Sequence, residues 1–408
     1  MAPATTTAPS RATSSRVALV GLLAAWAVSR AVVMALAVDR LSRATLFNDP
    51  NLLWAWANGT AFGSDDTPAL SEYPGAARLL ALTGRLAETP VAFGWGWIVA
   101  MLAVDLALLG VLWQAGRRGA WLWVVAGALL GPVVWLRYDL LVALLAVLAV
   151  CWRERRPGWS GVVLALAVLL KLWPLVIVAA LLLRTDWRRW LTGFGTTLAA
   201  GLTVEVAVRG PSSLLTPLTY QSERGVQIES LFATPVLLAS RDEPPEQVWE
   251  FAFRAFQLQG SDGTLSSLVT VVVLAVAGLA TLAAVQGADP SRLPMVRVTG
   301  AALLVVLVVA TNSVFSPQYV MWFLPLVALA VAWAPRMDWA LVVVTSAVAA
   351  LTQTVWPWKY ESLLLLDPGT LAALAARNGL VLVLAGVLVW RLAGAARAPQ
   401  PVTNESRT

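Results

Sequence analysis

Apolar segments long enough to cross a membrane recur along almost the whole sequence, and this feature constrains the fold more than any other. Of the 408 residues, 59% are hydrophobic and 13% are charged, whereas a typical soluble domain has about 25% charged residues. In a bilayer, such a segment satisfies its backbone hydrogen bonds by forming an α-helix of about 20 residues. The run lengths therefore predict an all-α, polytopic integral membrane protein with about twelve transmembrane or re-entrant helices.

Arginines cluster in short connections between the apolar segments, and their positions predict the orientation of the chain. The net charge is +6, but clusters of this kind are typical of cytoplasmic loops and not of a nucleic-acid-binding surface. No nucleic-acid partner is therefore expected, and both termini are predicted to be cytoplasmic. The arginine-rich connections lie at 117–118, 153–156, 184–189, 292–297 and 391–397.

This orientation divides the chain into one membrane domain and two short cytoplasmic ends. The Pro-, Ser- and Thr-rich segment 1–16 is predicted to be disordered, and 395–408 is predicted to be a cytoplasmic tail. The membrane domain, 17–394, is predicted to carry three long extracytoplasmic loops. These loops are expected at 39–90, 209–264 and 356–370.

Lys171 interrupts an apolar run that is long enough to be a single membrane span. If 161–183 formed one span, the arginines that follow it would lie outside the cell and every later loop would change sides. A hairpin of two shorter helices, 158–170 and 173–184, avoids this conflict. Pro174 suits the first turn of the second helix, and we predict that Lys171 lies at the outward tip.

The sequence contains one cysteine, Cys151, and no histidine. An intramolecular disulfide is therefore excluded, as are histidine-based zinc and haem sites. A general base that works near neutral pH must be a carboxylate, or a lysine or tyrosine with a shifted pKa. No metal site and no cofactor are expected.

Several charged residues are predicted to gather on the extracytoplasmic face. A cation cluster at headgroup level suits a lipid-linked phosphate, and a nearby carboxylate suits deprotonation of an incoming hydroxyl group. The cations are Arg30, Arg137, Lys171 and Arg224, and the carboxylates are Asp49, Glu72 and Glu229.

Each of these charges also has a structural interpretation that the sequence leaves open. Asp49 precedes a proline and can simply cap a helix. Arg137 and Asp139 can form a local ion pair, and Lys171 can extend along apolar surface to the interface. Arg30, inside the first span, is predicted to pair with Asp105 in a neighbouring span.

Five motifs in a fixed order resemble those of the family 87 glycosyltransferases. They are EYP at 72–74, RYDLL at 137–141, KLWP at 171–174, RGVQIESL at 224–231 and SPQY at 316–319. Members of this family are integral-membrane mannosyltransferases of the GT-C fold, typical of actinobacteria, that use polyprenyl-phosphate-mannose. The resemblance implies a GT-C-like fold and an inverting sugar transfer at the extracytoplasmic face of the plasma membrane.

The resemblance also implies roles for individual residues. Asp49 matches the carboxylate base, although this loop lacks the family's G-x-x-P-Y stretch, so Asp65 and Asp66 remain alternatives. The expected partners are polyprenyl-phosphate-mannose, a glycolipid or glycan acceptor, and membrane lipids. Donor phosphate binding is implied for Arg137, Lys171 and Arg224. Substrate binding is implied for Glu72, Tyr73, Asp139, Gln227, Glu229, Gln318 and Tyr319.

Two other functions remain open from the sequence. A transporter or flippase of lipid-linked envelope precursors would need polar residues that reach both sides of the membrane, whereas the polar clusters here favour one side. A noncatalytic scaffold for envelope assembly would retain its function without the carboxylate base.

Overall fold

The computed structural model shows a bundle of α-helices with one small β-hairpin. It describes residues 11–42, 49–59, 75–184 and 186–397. The first helix, α1, begins at Arg11, within the segment that was predicted to be disordered, and the last helix ends at Arg397. The expectations for the remainder of both termini concern residues outside the described ranges.

Within the described residues, seven helices are long and apolar enough to cross a membrane, which supports a multi-pass membrane protein. They are α1 (Arg11–Ser42), α4 (Pro90–Ala115), α10 (Trp187–Arg209), α13 (Thr264–Gly287), α14 (Leu293–Thr311), α16 (Trp339–Gln353, with a kinked continuation to Trp358) and α18 (Pro368–Arg397).

Shorter helices complete the bundle. Those that pack within it are α5 (Arg117–Leu130), α6 (Val133–Leu136), α7 (Asp139–Trp152), α8 (Pro157–Leu170), α9 (Val178–Leu181) and α15 (Val320–Trp333). Those at its periphery and in its connections are α2 (Asp49–Ala57), α3 (Gly75–Leu82), α11 (Thr216–Ser222), α12 (Ala233–Ala239) and α17 (Tyr360–Leu364).

Of the about twelve transmembrane or re-entrant helices that were predicted, seven appear as long apolar helices within the described residues, and shorter helices accompany them. At Gly131, for example, a φ of +76° ends α5, and only a single turn, α6, follows. A positive φ is readily adopted by glycine and stops a right-handed helix. Apolar run lengths alone do not reveal such interruptions.

The predicted break at Lys171 is confirmed. Helix α8 ends at Leu170, Lys171 is extended (φ −157°, ψ 138°), and a 3₁₀ segment from Trp173 to Ile177 leads into α9. The chain then returns to the level at which α8 begins. This is shown by Arg153, which lies just before α8 and donates hydrogen bonds to the carbonyls of Leu181 and Leu183. Lys171 therefore lies at the tip of a re-entrant hairpin.

The most deeply buried helices are α14 and α15. Nearly every residue of α15 is buried, and α14 packs against α13, α15 and α18. By contrast, the predominantly apolar side chains of α10 and α13 are mostly exposed, as expected for helices that face lipid. At their ends, α14 and α15 adjoin the polar segments that connect the helices.

The predicted loop 209–264 contains folded structure with a small hydrophobic core of its own. Strands β1 (Trp249–Ala252) and β2 (Ala255–Leu258) form an antiparallel hairpin, which the all-α prediction missed. Ile228, Leu237 and Leu258 of this loop pack with residues of α17 and α18. The loop is thereby fixed against the end of the bundle.

The predicted pairing of Arg30 with Asp105 is confirmed. Arg30 Nε and Asp105 Oδ2 are 2.8 Å apart, and both side chains are buried. The indole N–H groups of Trp123 and Trp135 also donate to this carboxylate, and Arg30 donates to the carbonyl of Val124. This network joins α1, α4, α5 and α6 inside the bundle.

We expect Asp105→Asn to destabilise the protein by about 3–5 kcal/mol, because it leaves the buried Arg30 charge without its carboxylate. Thermal unfolding in nanodiscs measures this effect. The matched control, Asp186→Asn, removes an exposed ion pair to Arg189 and should change stability by about 0.5 kcal/mol or less. Equal effects in the two variants would contradict a structural role for the buried pair.

Candidate active site

A polar cavity of about 170 Å³ lies at the end of the bundle that carries the tip of the re-entrant hairpin. Its wall combines cations, one carboxylate, side-chain amides and aromatic rings. The cations are Arg137, Lys171, Arg224 and Arg254, and the carboxylate is Glu229. The amides are Gln221, Gln227 and Gln318, and the aromatic residues are Phe251, Phe253, Phe256, Tyr319, Trp356 and Tyr360.

Backbone hydrogen bonds position the segment that carries Arg224, Gln227 and Glu229. Ile228 N donates to Phe256 O (3.0 Å) and Leu258 N donates to Val226 O (2.8 Å), so this segment lies along β2. On its other side, Gln227 N donates to Ser313 O (2.9 Å), just before the SPQY motif. Two motifs far apart in the sequence are thus held side by side.

Asp49 lies in the first turn of α2 and is bound to the connection between α6 and α7. Its Oδ1 accepts from Arg137 Nη1 at 2.7 Å, and its Oδ2 accepts from the backbone N–H of Tyr138 at 3.1 Å. The Asp49 side chain is buried and stands behind Arg137, which lines the cavity. The local ion pair considered between Arg137 and Asp139 is therefore replaced by a pair with Asp49.

Asp139 pairs instead with Lys171, at a distance of 2.9 Å from Oδ2 to Nζ. Its other oxygen accepts from the indole N–H of Trp322 on α15. The Lys171 ammonium also stands 4.9 Å from the ring centroid of Tyr138. Asp139 is completely buried, so it orients Lys171 from behind the cavity wall.

Arg224 is 6% exposed and lines the cavity. Its guanidinium carbon lies 5.8 Å from the ring centroid of Tyr220, and its Nε has no hydrogen-bond partner. Within the described residues, no carboxylate pairs with it. A buried guanidinium without a counter-charge is costly, and its position favours binding of an anion.

Glu229 is 2% exposed, and its two oxygens have different surroundings. Oε2 accepts from Gln227 Nε2 at 2.8 Å and from the Tyr360 hydroxyl at 3.5 Å. Oε1 has no hydrogen-bond partner in the described structure. Burial raises the pKa of the Glu229 carboxyl to about 7, and the nearby Arg377 guanidinium opposes that rise.

The SPQY motif forms a 3₁₀ turn that leads into α15. Gln318 and Tyr319 both line the cavity. The Tyr319 ring stacks on Trp322 with centroids 3.7 Å apart, and Trp322 in turn stacks on Trp173 of the hairpin tip. Stacked rings of this kind hold an aromatic face rigidly at the cavity wall.

The structure brings most of the predicted site residues to one place. Seven of them line the cavity, and Asp49 and Asp139 are bound directly to two of those seven. Glu72, Tyr73, Asp65 and Asp66 lie outside the described residues. The seven lining residues are Arg137, Lys171, Arg224, Gln227, Glu229, Gln318 and Tyr319.

Sequence reasoning missed the β-hairpin, which supplies Arg254 and three phenylalanines to the cavity. It also missed Arg377 of α18, which donates to the backbone carbonyl of Glu229. The alternation of aromatic residues in WEFAFRAFQL (249–258) was a signal for strands. Arg377 gave a weaker signal, as an ionisable residue within an apolar helix.

The cavity can hold an anion beside a hydroxyl-rich group. Guanidinium and ammonium groups bind phosphate oxygens, while the amides and the carboxylate can exchange hydrogen bonds with hydroxyl groups. In the part of the chain that the structure describes, His, Cys, Asp and Glu side chains form no cluster of three or more suited to a metal ion. The donors and acceptors on the wall fit a ligand that carries both an anionic group and hydroxyl groups.

Comparison with known proteins identifies the family. The model of glycosyltransferase family 87 matches residues 73–311, which is more than half of the 408 residues. The matched range includes Arg137, Lys171, Arg224 and Glu229, and it begins after Asp49. No curated protein and no solved structure matches the chain. The chain therefore belongs to glycosyltransferase family 87, and the seven long apolar helices among its described residues make it a membrane glycosyltransferase.

Proposed function

We propose that this enzyme transfers a sugar, mannose, from a polyprenyl-phosphate donor to a lipid or glycan acceptor of the cell envelope. The transfer takes place at the extracytoplasmic face and inverts the configuration of the sugar carbon. The observation that carries the proposal is a single cavity in which Arg224, without a carboxylate partner in the described structure, lies beside Glu229, Gln227 and Gln318. A lipid-linked sugar phosphate contains both groups that such a wall binds.

The reaction exchanges one bond for another at the anomeric carbon. The acceptor oxygen forms a bond to this carbon, while the bond from the carbon to the phosphate oxygen breaks and its electron pair leaves with the lipid phosphate. The acceptor proton passes to a carboxylate base. Because polyprenyl phosphate is a good leaving group, neutralisation of its charge by cations is the main contribution required of the protein.

We assign the base to Asp49, as the resemblance implies. Its hydrogen bonds to Arg137 and to Tyr138 N fix the carboxylate in one orientation, and a base that is already oriented loses less entropy in the reaction. Glu229 is the competing candidate, since its Oε1 has no partner and its pKa lies near 7. We assign Glu229 to hydrogen bonding with sugar hydroxyls, together with Gln227.

The cations Arg137, Lys171 and Arg224 are assigned to the donor phosphate. Arg137 and Lys171 are already oriented by Asp49 and Asp139. Preorganised charges need no rearrangement when charge develops in the transition state. Gln318 and the Tyr319 face are assigned to the sugar.

The alternative of a transporter has no support from the composition of α15. The bundle has a second cavity at its opposite end, near Arg292 and Arg391. Between the two ends, α15 contributes only apolar residues from Val320 to Trp333. A transport path would require polar residues in this region.

Asp49→Asn should lower sugar transfer by on the order of 10²–10⁴-fold, because the amide cannot accept the acceptor proton. The assay uses membranes that contain the protein, polyprenyl-phosphate-mannose and a lipid extract as acceptor. Asp242→Asn, at an exposed position, is the control and should retain full activity. If Asp49→Asn folds normally and retains wild-type activity, Asp49 is not the base.

Glu229→Gln should lower kcat/KM by on the order of tenfold, because the hydrogen bond that a sugar hydroxyl donates to the charged carboxylate is replaced by a weaker one to a neutral amide oxygen. In the wild type, kcat/KM should rise between about pH 6 and about pH 8 as Glu229 ionises, since its pKa is about 7. The variant should lack this rise. An identical pH profile in both proteins would assign the titration to another group.

Glycolipid and glycan profiling of a deletion strain should identify the acceptor. The strain should lack one mannosylated envelope product and accumulate its precursor. Complementation with the wild-type gene should restore the product, whereas complementation with Asp49→Asn should not. Restoration by Asp49→Asn would favour a noncatalytic scaffold.

A further inference from the structure

The cations of the cavity differ in how their charge is balanced. Arg137 forms an ion pair with Asp49, and Lys171 forms one with Asp139. These two pairs carry no net charge when all four groups are ionised. Within the described residues, Arg224 and Arg254 have no carboxylate partner. Among the described residues, the cationic charge of the cavity wall that is not paired with a carboxylate is therefore carried by these two arginines.

Arg254 occupies an unusual position at the tip of the β-hairpin. The turn between the closing pair Ala252 and Ala255 has two residues, Phe253 (φ 50°) and Arg254 (φ 57°). Two-residue turns with positive φ at both positions strongly favour Asn and Gly. An arginine and a phenylalanine are costly in this conformation, and such strain is typically retained where the side chains have a function. Here, both side chains line the cavity.

Tyr220 connects the hairpin tip to Arg224. Its hydroxyl donates to the Phe253 carbonyl at 3.2 Å, and its ring contacts the Phe253 ring edge-on with centroids 5.4 Å apart. The Arg224 guanidinium lies over the same Tyr220 ring. One buried side chain thus fixes both the turn that carries Arg254 and the position of Arg224.

We propose that Arg254 binds the phosphate of the lipid-linked donor together with Arg224. This inference rests on the proposed function. The donor is a phosphodiester with one negative charge. When the bond from the sugar carbon to the phosphate oxygen breaks, the lipid phosphate keeps the electron pair and approaches two negative charges. Arg224 balances the charge of the donor, and Arg254 balances the charge that develops as the phosphate leaves.

The pairing assigns distinct tasks to the four cations. Arg137 and Lys171 share their charge with Asp49 and Asp139, so they contribute geometry and hydrogen bonds at the cavity wall. The two arginines without such partners supply the compensating charge. The hairpin thereby becomes part of the donor site, although it lies outside the five sequence motifs.

The test measures binding of polyprenyl monophosphate, the product without its sugar, to the full-length protein in nanodiscs. Arg254→Gln should weaken this binding by about tenfold or more, because a charge-assisted hydrogen bond is lost. The apparent KM for the donor should rise as well. Arg254→Lys keeps the charge and should recover part of the binding. Arg241→Gln, an exposed arginine in the same loop, is the matched control and should bind like the wild type.

A second variant separates loss of function from loss of folding. Arg254→Gly removes the guanidinium but places the residue preferred for a positive φ in the turn. It should unfold at or above the wild-type temperature and still bind polyprenyl monophosphate weakly. If Arg254→Gln and Arg254→Gly both bind it like the wild type, the proposal is wrong.

Two further outcomes identify the source of an error. If only the KM for the acceptor rises while polyprenyl monophosphate binding is unchanged, Arg254 contacts the acceptor, and the proposal is overturned. If the wild-type protein transfers no sugar from a polyprenyl-phosphate donor, the proposed function fails. In the first case, wild-type transfer persists, so the two failures are distinguishable.

Discussion

The ion pair between Lys171 and Asp139 determines how the candidate site is assembled. It joins the tip of the re-entrant hairpin to the start of α7, and Trp322 attaches α15 to the same carboxylate. The Asp139 side chain is completely buried, and a buried charge costs several kcal/mol unless it is paired. The membrane segments that supply these groups must therefore meet at one point. The neighbouring pair of Asp49 and Arg137 attaches α2 at almost the same place.

These two pairs also set the electrostatics of the cavity. Each orients a cation at the wall, but each leaves little net charge. In the mechanism that we propose, the donor phosphate is balanced by Arg224 and Arg254, which have no carboxylate partner among the described residues and belong to the loop that packs on α17 and α18. Backbone hydrogen bonds join the segment around Gln227 to β2 within this loop and to Ser313 of the bundle. Membrane helices and extramembrane loop thus contribute different parts of one site.

The sequence predicted the features that follow from the cost of a charge in a membrane. An ionisable residue in an apolar segment must find a partner or reach the membrane–water boundary. The pairing of Arg30 with Asp105 and the break at Lys171 could therefore be predicted from the sequence. The partners of Arg137 and Asp139 could not be predicted in this way. The two residues are neighbours in the chain, yet each binds a residue from a distant segment, Asp49 and Lys171 respectively. Such choices depend on tertiary packing.

The β-hairpin was not predicted from the sequence for a different reason. Its turn, Phe253–Arg254, lacks the asparagine and glycine by which a two-residue hairpin is recognised. Apolar runs also do not reveal where a glycine or a 3₁₀ segment interrupts a helix, so the lengths of the individual helices were not predicted. Both features lie where the backbone departs from regular geometry near the cavity, and functional sites tend to depart from local sequence rules in this way.

The most direct measurement is an experimental structure of the full-length protein with a donor analogue, a polyprenyl phosphonate in which carbon replaces the oxygen between sugar and phosphorus. The account predicts that the phosphonate lies between Arg224 and Arg254, with the sugar against Glu229 and Gln227. Binding of the analogue only in the cavity at the opposite end of the bundle, or with its phosphonate remote from both arginines, would contradict it.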